Sequence, residues 1–131
     1  MKKALIIVQN NNNTTWKFGE EIAAFLLNRG LSAELIPINN FEPQKLEGAD
    51  FLLLGGTNKK DNEWVTFVKK LPTLDSIKTA MFNTYRFVSV GMFRSMIKYL
   101  SKKTENLDFA FKSKDGSLSI SDKLSLNDFI K

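Results

Sequence analysis

The sequence has 131 residues, 43% of them hydrophobic and 25% charged, with a formal net charge of +5. That length fits a single domain able to bury a core, and no apolar run approaches the ~20 residues of a membrane helix. The lack of any Cys or His excludes thiol redox chemistry, Cys nucleophiles, Ser-His-Asp triads and His- or Cys-ligated zinc within this sequence. Any reaction here uses carboxylates, hydroxyls, lysines or a borrowed cofactor. The positive charge is expected to suit an acidic partner, and a solvated lysine-rich surface explains it equally well. Lys2-Lys3 imitates the start of a secretory leader. Ala4 to Val8 is too short for the apolar part of one and no small-residue cleavage site follows, so a cytoplasmic protein is expected.

Ala4-Leu5-Ile6-Ile7-Val8 reads as a strand buried on both faces. After Gln9 comes the polar cluster Asn10-Asn11-Asn12-Asn13-Thr14-Thr15. Trp16 to Arg29 predicts a helix, with Phe18, Ile22, Phe25 and Leu26 on one stripe and Gly30 as its stop. A strand, a polar loop and a helix N-terminus facing that loop make an anion site, since free backbone N–H groups and the helix dipole both point at it.

Leu31 to Ile38 alternates well enough for a strand nearer the sheet edge, a position that Pro37 supports. Asn39 to Gly48 is a loop with one helical turn around Pro43 to Leu46. Asp50 to Gly55 is a second continuous apolar strand, and Gly55 to Asn62 a polar loop. Glu63 to Leu71 predicts a short helix with Trp64, Phe67, Val68 and Leu71 on its apolar face, closed by Pro72. Lys78 to Phe82 is a strand, followed by Asn83-Thr84-Tyr85-Arg86. Val90 to Lys102 predicts a helix, Leu107 to Phe111 a strand, Asp115-Gly116 a turn, and Asp122 to Ile130 a terminal helix with Leu124 or Leu126 and Phe129 inward. The stretch Phe87, Val88, Val90, Met92 and Phe93 is apolar enough to serve an oligomer contact.

Strands alternating with helices demand a parallel sheet covered on both faces, and ligands bind outside the carboxyl ends of such strands. Three polar loops leave those ends: Asn10–Thr15, Gly55–Asn62 and Asn83–Arg86. The first has no G-x-G-x-x-G for a dinucleotide, and no P-loop is present. A receiver domain keeps an acidic pair after its first strand and an Asp after its third, where this sequence has Gln9-Asn10 and Leu54-Gly55. Phosphatases of similar topology use a Cys in the first loop.

The opening instead resembles the flavodoxins, whose first strand is followed by S/T-x-T-G-N-T and an amphipathic helix. Asn10 to Thr15 occupies that motif, with Asn13 at the Gly position and Thr15 in agreement. Asp50-Phe51-Leu52-Leu53-Leu54-Gly55-Gly56-Thr57 resembles the family's third strand and flavin-ring loop. Phe82-Asn83-Thr84-Tyr85 resembles its F-G-S/T-Y segment. The resemblance implies one doubly wound α/β domain over residues 1–131, a three-layer sandwich with a five-stranded parallel sheet in the order 2-1-3-4-5.

It also implies FMN as cofactor. Asn10, Asn11, Asn12, Asn13, Thr14 and Thr15 would then meet the phosphate as neutral donors, and N-capping by Thr14 or Thr15 is compatible with that role. Gly55, Gly56, Thr57, Asn58, Asn83, Thr84 and Tyr85 would border the flavin ring. Tyr85 either stacks on it or packs at the surface; Trp64 suits the core, and Trp16 covers the phosphate loop or simply packs. The implied function is a low-potential electron carrier with an acidic redox partner protein and no polynucleotide.

Two alternatives stand beside it. One is a binding or regulatory module that has lost the flavin. The other is a small flavin oxidoreductase resembling protoporphyrinogen oxidases of this fold, with the basic segment Arg94 to Lys103 serving a carboxylated porphyrin or a membrane surface. Lys59 and Lys60 stand where many flavodoxins carry an aromatic, and they are expected to stabilise the negative charge of the reduced flavin. Lys59→Glu with Lys60→Glu should therefore lower its potential in a redox titration. An unchanged potential contradicts that role.

Overall fold

The computed structural model describes residues 1–9, 13–56, 62–74, 76–84, 98, 100, 103, 107–113 and 115–131, with residues 62–65 and 107–112 described by backbone alone. In strand β1 (Lys3–Val8) every residue from Ala4 onward is buried. Alternation along the strand explains this. Leu5 and Ile7 join one apolar cluster, while Ala4, Ile6 and Val8 join another. A strand with no solvent face needs a layer on each side, and the rest of the chain supplies them.

Among the described residues, four further strands join β1 in one sheet: β2 (Ser32–Pro37), β3 (Phe51–Gly56), β4 (Lys78–Thr84) and β5 (Leu107–Ser113). Their order is β2-β1-β3-β4-β5 and every pairing is parallel. Pro37 lies on edge strand β2, in register with Val8, where its missing N–H leaves no gap in the ladder of a second neighbour. Helix α1 (Asn13–Asn28) and the helix over residues 120–129 cover the Ala4 side of the sheet.

On that face α1 buries Phe18, Ile22 and Leu26. Gly19 allows the helix to lie close, since a Cβ there would sit 3.0 Å from both Leu35 Cδ1 and Val8 Cγ2. Gly30, at φ +87°, ends α1 in a Schellman motif: Leu31 N–H bonds the Leu26 carbonyl (3.2 Å) and Gly30 N–H the Leu27 carbonyl (3.1 Å). On the opposite face helix α2 (Asn62–Lys70) adds Phe67 and Val68 to the cluster of Leu5, Ile7, Leu54 and Met81. Helix α3 (Ile120–Phe129) returns to the α1 face, capped by a reciprocal Ser119–Asp122 box.

Several boundaries differ from the sequence expectation. Helix α1 starts at Asn13 rather than Trp16, because buried Thr15 continues the apolar stripe one turn ahead of Phe18. Trp16 is half-buried and packs on the core. Strands β3 and β4 run through Gly56 and Thr84, so Gly55, Gly56, Asn83 and Thr84 belong to strands and not to loops. Strand β5 continues to Ser113. The loop after β2 carries two 3₁₀ turns, Ile38–Asn40 and Pro43–Leu46. In α3 it is Leu126 that faces inward with Phe129, while Leu124 is 63% exposed. The expected helix over Val90 to Lys102 and the apolar stretch Phe87 to Phe93 lie outside the described residues, apart from Lys98 and Leu100.

Gly55 has a packing role. A Cβ there would fall 2.3 Å from Phe82 Cε2 and 2.4 Å from Cζ, and that ring is itself fixed edge-on against Phe18 at 5.4 Å. Gly55→Ala is therefore expected to cost about 1–3 kcal/mol by overpacking, read from chemical denaturation. A loss near zero contradicts this packing.

Candidate functional site

The carboxyl ends of β1, β3, β4 and β5 form one edge of the sheet, and α1 begins beside it. Gln9, wholly buried, continues past β1 by donating its N–H to the Gly55 carbonyl at 3.0 Å. Gly56 pairs with Asn83, Asn83 with Lys112, and Thr84 with Ser113. These registers bring the ends of three strands level.

Side-chain alternation sorts the edge into two faces. Thr84 follows Ala80 and Phe82 onto the α1 face. There its hydroxyl is hydrogen-bonded to that of Thr15 in the first turn of α1, and both residues are buried. Ser113, also buried, continues the row in register with Thr84. Asn83 follows Met81 onto the other face. It is 1% exposed, and its Oδ1 is a buried acceptor with no hydrogen-bond partner. In register beside it is Gly56, which has no side chain to fill the space. A buried carbonyl left unpaired costs free energy, so the position calls for a donor.

The turn after β5 completes the edge. Gly116 N–H donates to Ser113 Oγ at 3.0 Å and Ser117 N–H to Asp115 Oδ1 at 3.0 Å. The Ser117 N–H, with a smaller part from the Ser113 hydroxyl, holds the Asp115 carboxyl below its ordinary value. The electrostatics of the α1 terminus are permissive for an anion: its first turn carries no acidic residue, and the positive end of the helix dipole lies there. Among the described residues, no group of three or more carboxylates could hold a metal ion, and no helix is long and apolar enough to cross a membrane. A groove of about 430 Å³ elsewhere, on the outer face of α1, is lined by charges of both signs, Lys17, Glu20, Glu21 and Lys123.

No family model matches the sequence, and no curated protein matches it either. Solved structures do match. A flavodoxin of Streptococcus pneumoniae TIGR4 superposes with a TM-score of 0.75 at 14% identity, covering 97% of this chain and 94% of that one. Oxidised Flavodoxin 2 from Bacillus cereus gives 0.71 at 18% identity, over 97% and 94%. A putative flavoprotein from Bacteroides eggerthii gives 0.69 at 14% identity, over 99% and 98%. The chain has a flavodoxin-like fold.

Within this flavodoxin-like fold, seven of the expected site residues are described. Asn13 is exposed, Thr14 half-buried and Thr15 buried, all in the first turn of α1. Gly55 and Gly56 end β3, and Asn83 and Thr84 end β4. The edge thus collects all seven. Asn10, Asn11, Asn12, Thr57, Asn58 and Tyr85 lie outside the described residues, as do Lys59, Lys60 and the Trp64 side chain. Sequence reasoning missed Gln9, Ser113 and the way Gly116 meets α1. The available signal was polarity at the last position of an apolar strand, which Thr84 and Ser113 share.

The Thr15–Thr84 pair can be tested directly. Thr15→Val leaves the Thr84 hydroxyl buried without its partner and is expected to cost about 1–3 kcal/mol. Adding Thr84→Val should recover part of that loss, as measured by denaturant unfolding of both variants. Strict additivity of two losses contradicts a direct bond between them.

Proposed function

We propose that the chain binds FMN at the carboxyl edge of the sheet and works as a low-potential electron carrier. The observation that carries this reading is the Asn83 Oδ1 atom, buried and unpartnered at the end of β4 beside Gly56. A ligand N–H at that edge completes it. The donor set also fits the group. Asn10 to Asn13, Thr14 and Thr15 would hold the phosphate on neutral side chains and the α1 terminus, whose first turn brings no carboxylate against it. Gly55, Gly56, Thr57, Asn58, Asn83, Thr84 and Tyr85 would border the ring.

Bound FMN supplies reversible electron acceptance, while the protein orients it and tunes its potential. The described site residues are glycines, amides and hydroxyls, with no carboxylate, lysine or arginine. Such groups bind and orient a ligand but do not exchange protons with a substrate near neutral pH. That favours a carrier over an oxidoreductase acting on its own substrate. The net charge of +5 favours an acidic redox partner protein.

One observation favours a second reading, a flavodoxin-fold binding module without flavin. Thr15 is fully buried and its hydroxyl is bonded to Thr84, so a donor expected at the phosphate is engaged inside the fold. Titration of the purified protein with FMN separates the two. Quenched flavin fluorescence with shifted visible bands is expected. A folded protein that leaves the flavin spectrum unchanged contradicts FMN binding and favours the second reading.

A further inference from the structure

The turn that follows β5 braces the first turn of α1. A Cβ on Gly116 would lie 2.7 Å from the Thr14 carbonyl oxygen, 3.3 Å from Thr14 Cγ2 and 3.6 Å from Lys17 Cβ. Gly116 also has φ +83°. Glycine is therefore needed twice, for a left-handed backbone and for backbone-to-backbone approach. The turn is held rigid by its own bonds. Ser113 Oγ accepts the Gly116 N–H at 3.0 Å and lies 3.1 Å from the Ser117 carbonyl, and Asp115 Oδ1 accepts the Ser117 N–H at 3.0 Å.

Its exit is fastened to the same helix. Leu118 N–H donates to Glu21 Oε2 at 3.2 Å, and Lys17, Glu21 and Leu118 share the groove between them. From the sheet side, Ser113 stands in register with Thr84, whose hydroxyl binds Thr15. The first turn of α1 is thus gripped at Thr14 by Gly116 and at Thr15 by Thr84. The same edge carries the buried, unpartnered Asn83 Oδ1.

We infer that the turn around Gly116 is a clamp that sets the position of the first turn of α1, with Gly116 as its positioning residue. Its role in binding rests on the reading that the first turn of α1 meets a phosphate monoester, that of FMN. Hydrogen bonds to a phosphate are sensitive to donor distance and angle, so a small displacement of the leading N–H groups weakens phosphate contacts while leaving contacts to a ring untouched.

The structure also contains the control. Gly48 has φ +78°, and a Cβ there meets nothing within 4 Å. Ala at either position carries the same backbone strain, but only Gly116→Ala pushes on Thr14. Hydrogen exchange of backbone amides 17–19, which donate to the carbonyls of the first turn, is compared in the ligand-free protein for the two variants, together with affinities for FMN and for riboflavin, which lacks the phosphate.

Gly116→Ala is expected to speed exchange at 17–19 about tenfold over Gly48→Ala and to weaken FMN about tenfold, with riboflavin changing less than about threefold. Equal exchange in the two variants, or equal losses for the two ligands, overturns the clamp. Should the wild-type protein bind no FMN, the FMN reading fails by itself, and the exchange comparison still decides whether the clamp exists. Should Gly116→Ala not fold, Glu21→Ala removes the acceptor of the Leu118 N–H: faster exchange at 17–19 supports the clamp, and unchanged exchange overturns it.

Discussion

The structure depends on the double burial of β1. With Ala4 to Val8 closed to solvent on both faces, the chain must place apolar layers above and below the sheet. Helices α1 and α3 supply one layer and α2 the other. Both faces being covered, the ends of the strands are the places where the backbone can meet a ligand. The same constraint sets the close approach of α1 through Gly19, and hence the position of its N-terminus beside the ends of β1 and β4.

At that edge polarity is admitted in an ordered way. Thr15, Thr84 and Ser113 are buried hydroxyls on the α1 face, and Gln9 and Asn83 are buried amides at the ends of β1 and β4. Burying so many polar side chains beside an apolar core is costly unless each is paired. The Thr15–Thr84 bond and the Ser113 turn pair three of them. Among the described residues, Asn83 Oδ1 is a buried acceptor left open, and it lies beside the side-chain-free Gly56. Structural pairing on one face and an open acceptor on the other distinguish residues that hold the edge from one that can receive a ligand.

Much of this was legible in the sequence. The continuous apolar runs Ala4–Val8 and Asp50–Gly55 mark buried strands, and the stripe Phe18, Ile22, Phe25 and Leu26 marks the helix that follows the first, with Phe25 only half-buried in the structure. Pro37 correctly marked an edge strand. The polar segments at the strand ends were read as loops, however, because Gly55-Gly56 and Asn83-Thr84 carry turn-forming residues that the sheet nonetheless extends through. Tertiary pairing overrode local propensity there. The start of α1 was hidden for a related reason, since buried Thr15 behaves as a core position although its chemistry is polar. Contacts between Gly116 and Thr14 join residues about a hundred positions apart, and no local pattern reports them.

Ligand binding at the carboxyl edge of the sheet is decided by mapping backbone amide chemical shifts of the isotope-labelled protein during FMN addition. The largest changes are expected on Asn13 to Thr15, Gly55, Gly56, Asn83 and Thr84. Changes centred instead on the outer groove of α1 around Glu20 and Lys123, or on the opposite ends of the strands, would contradict it.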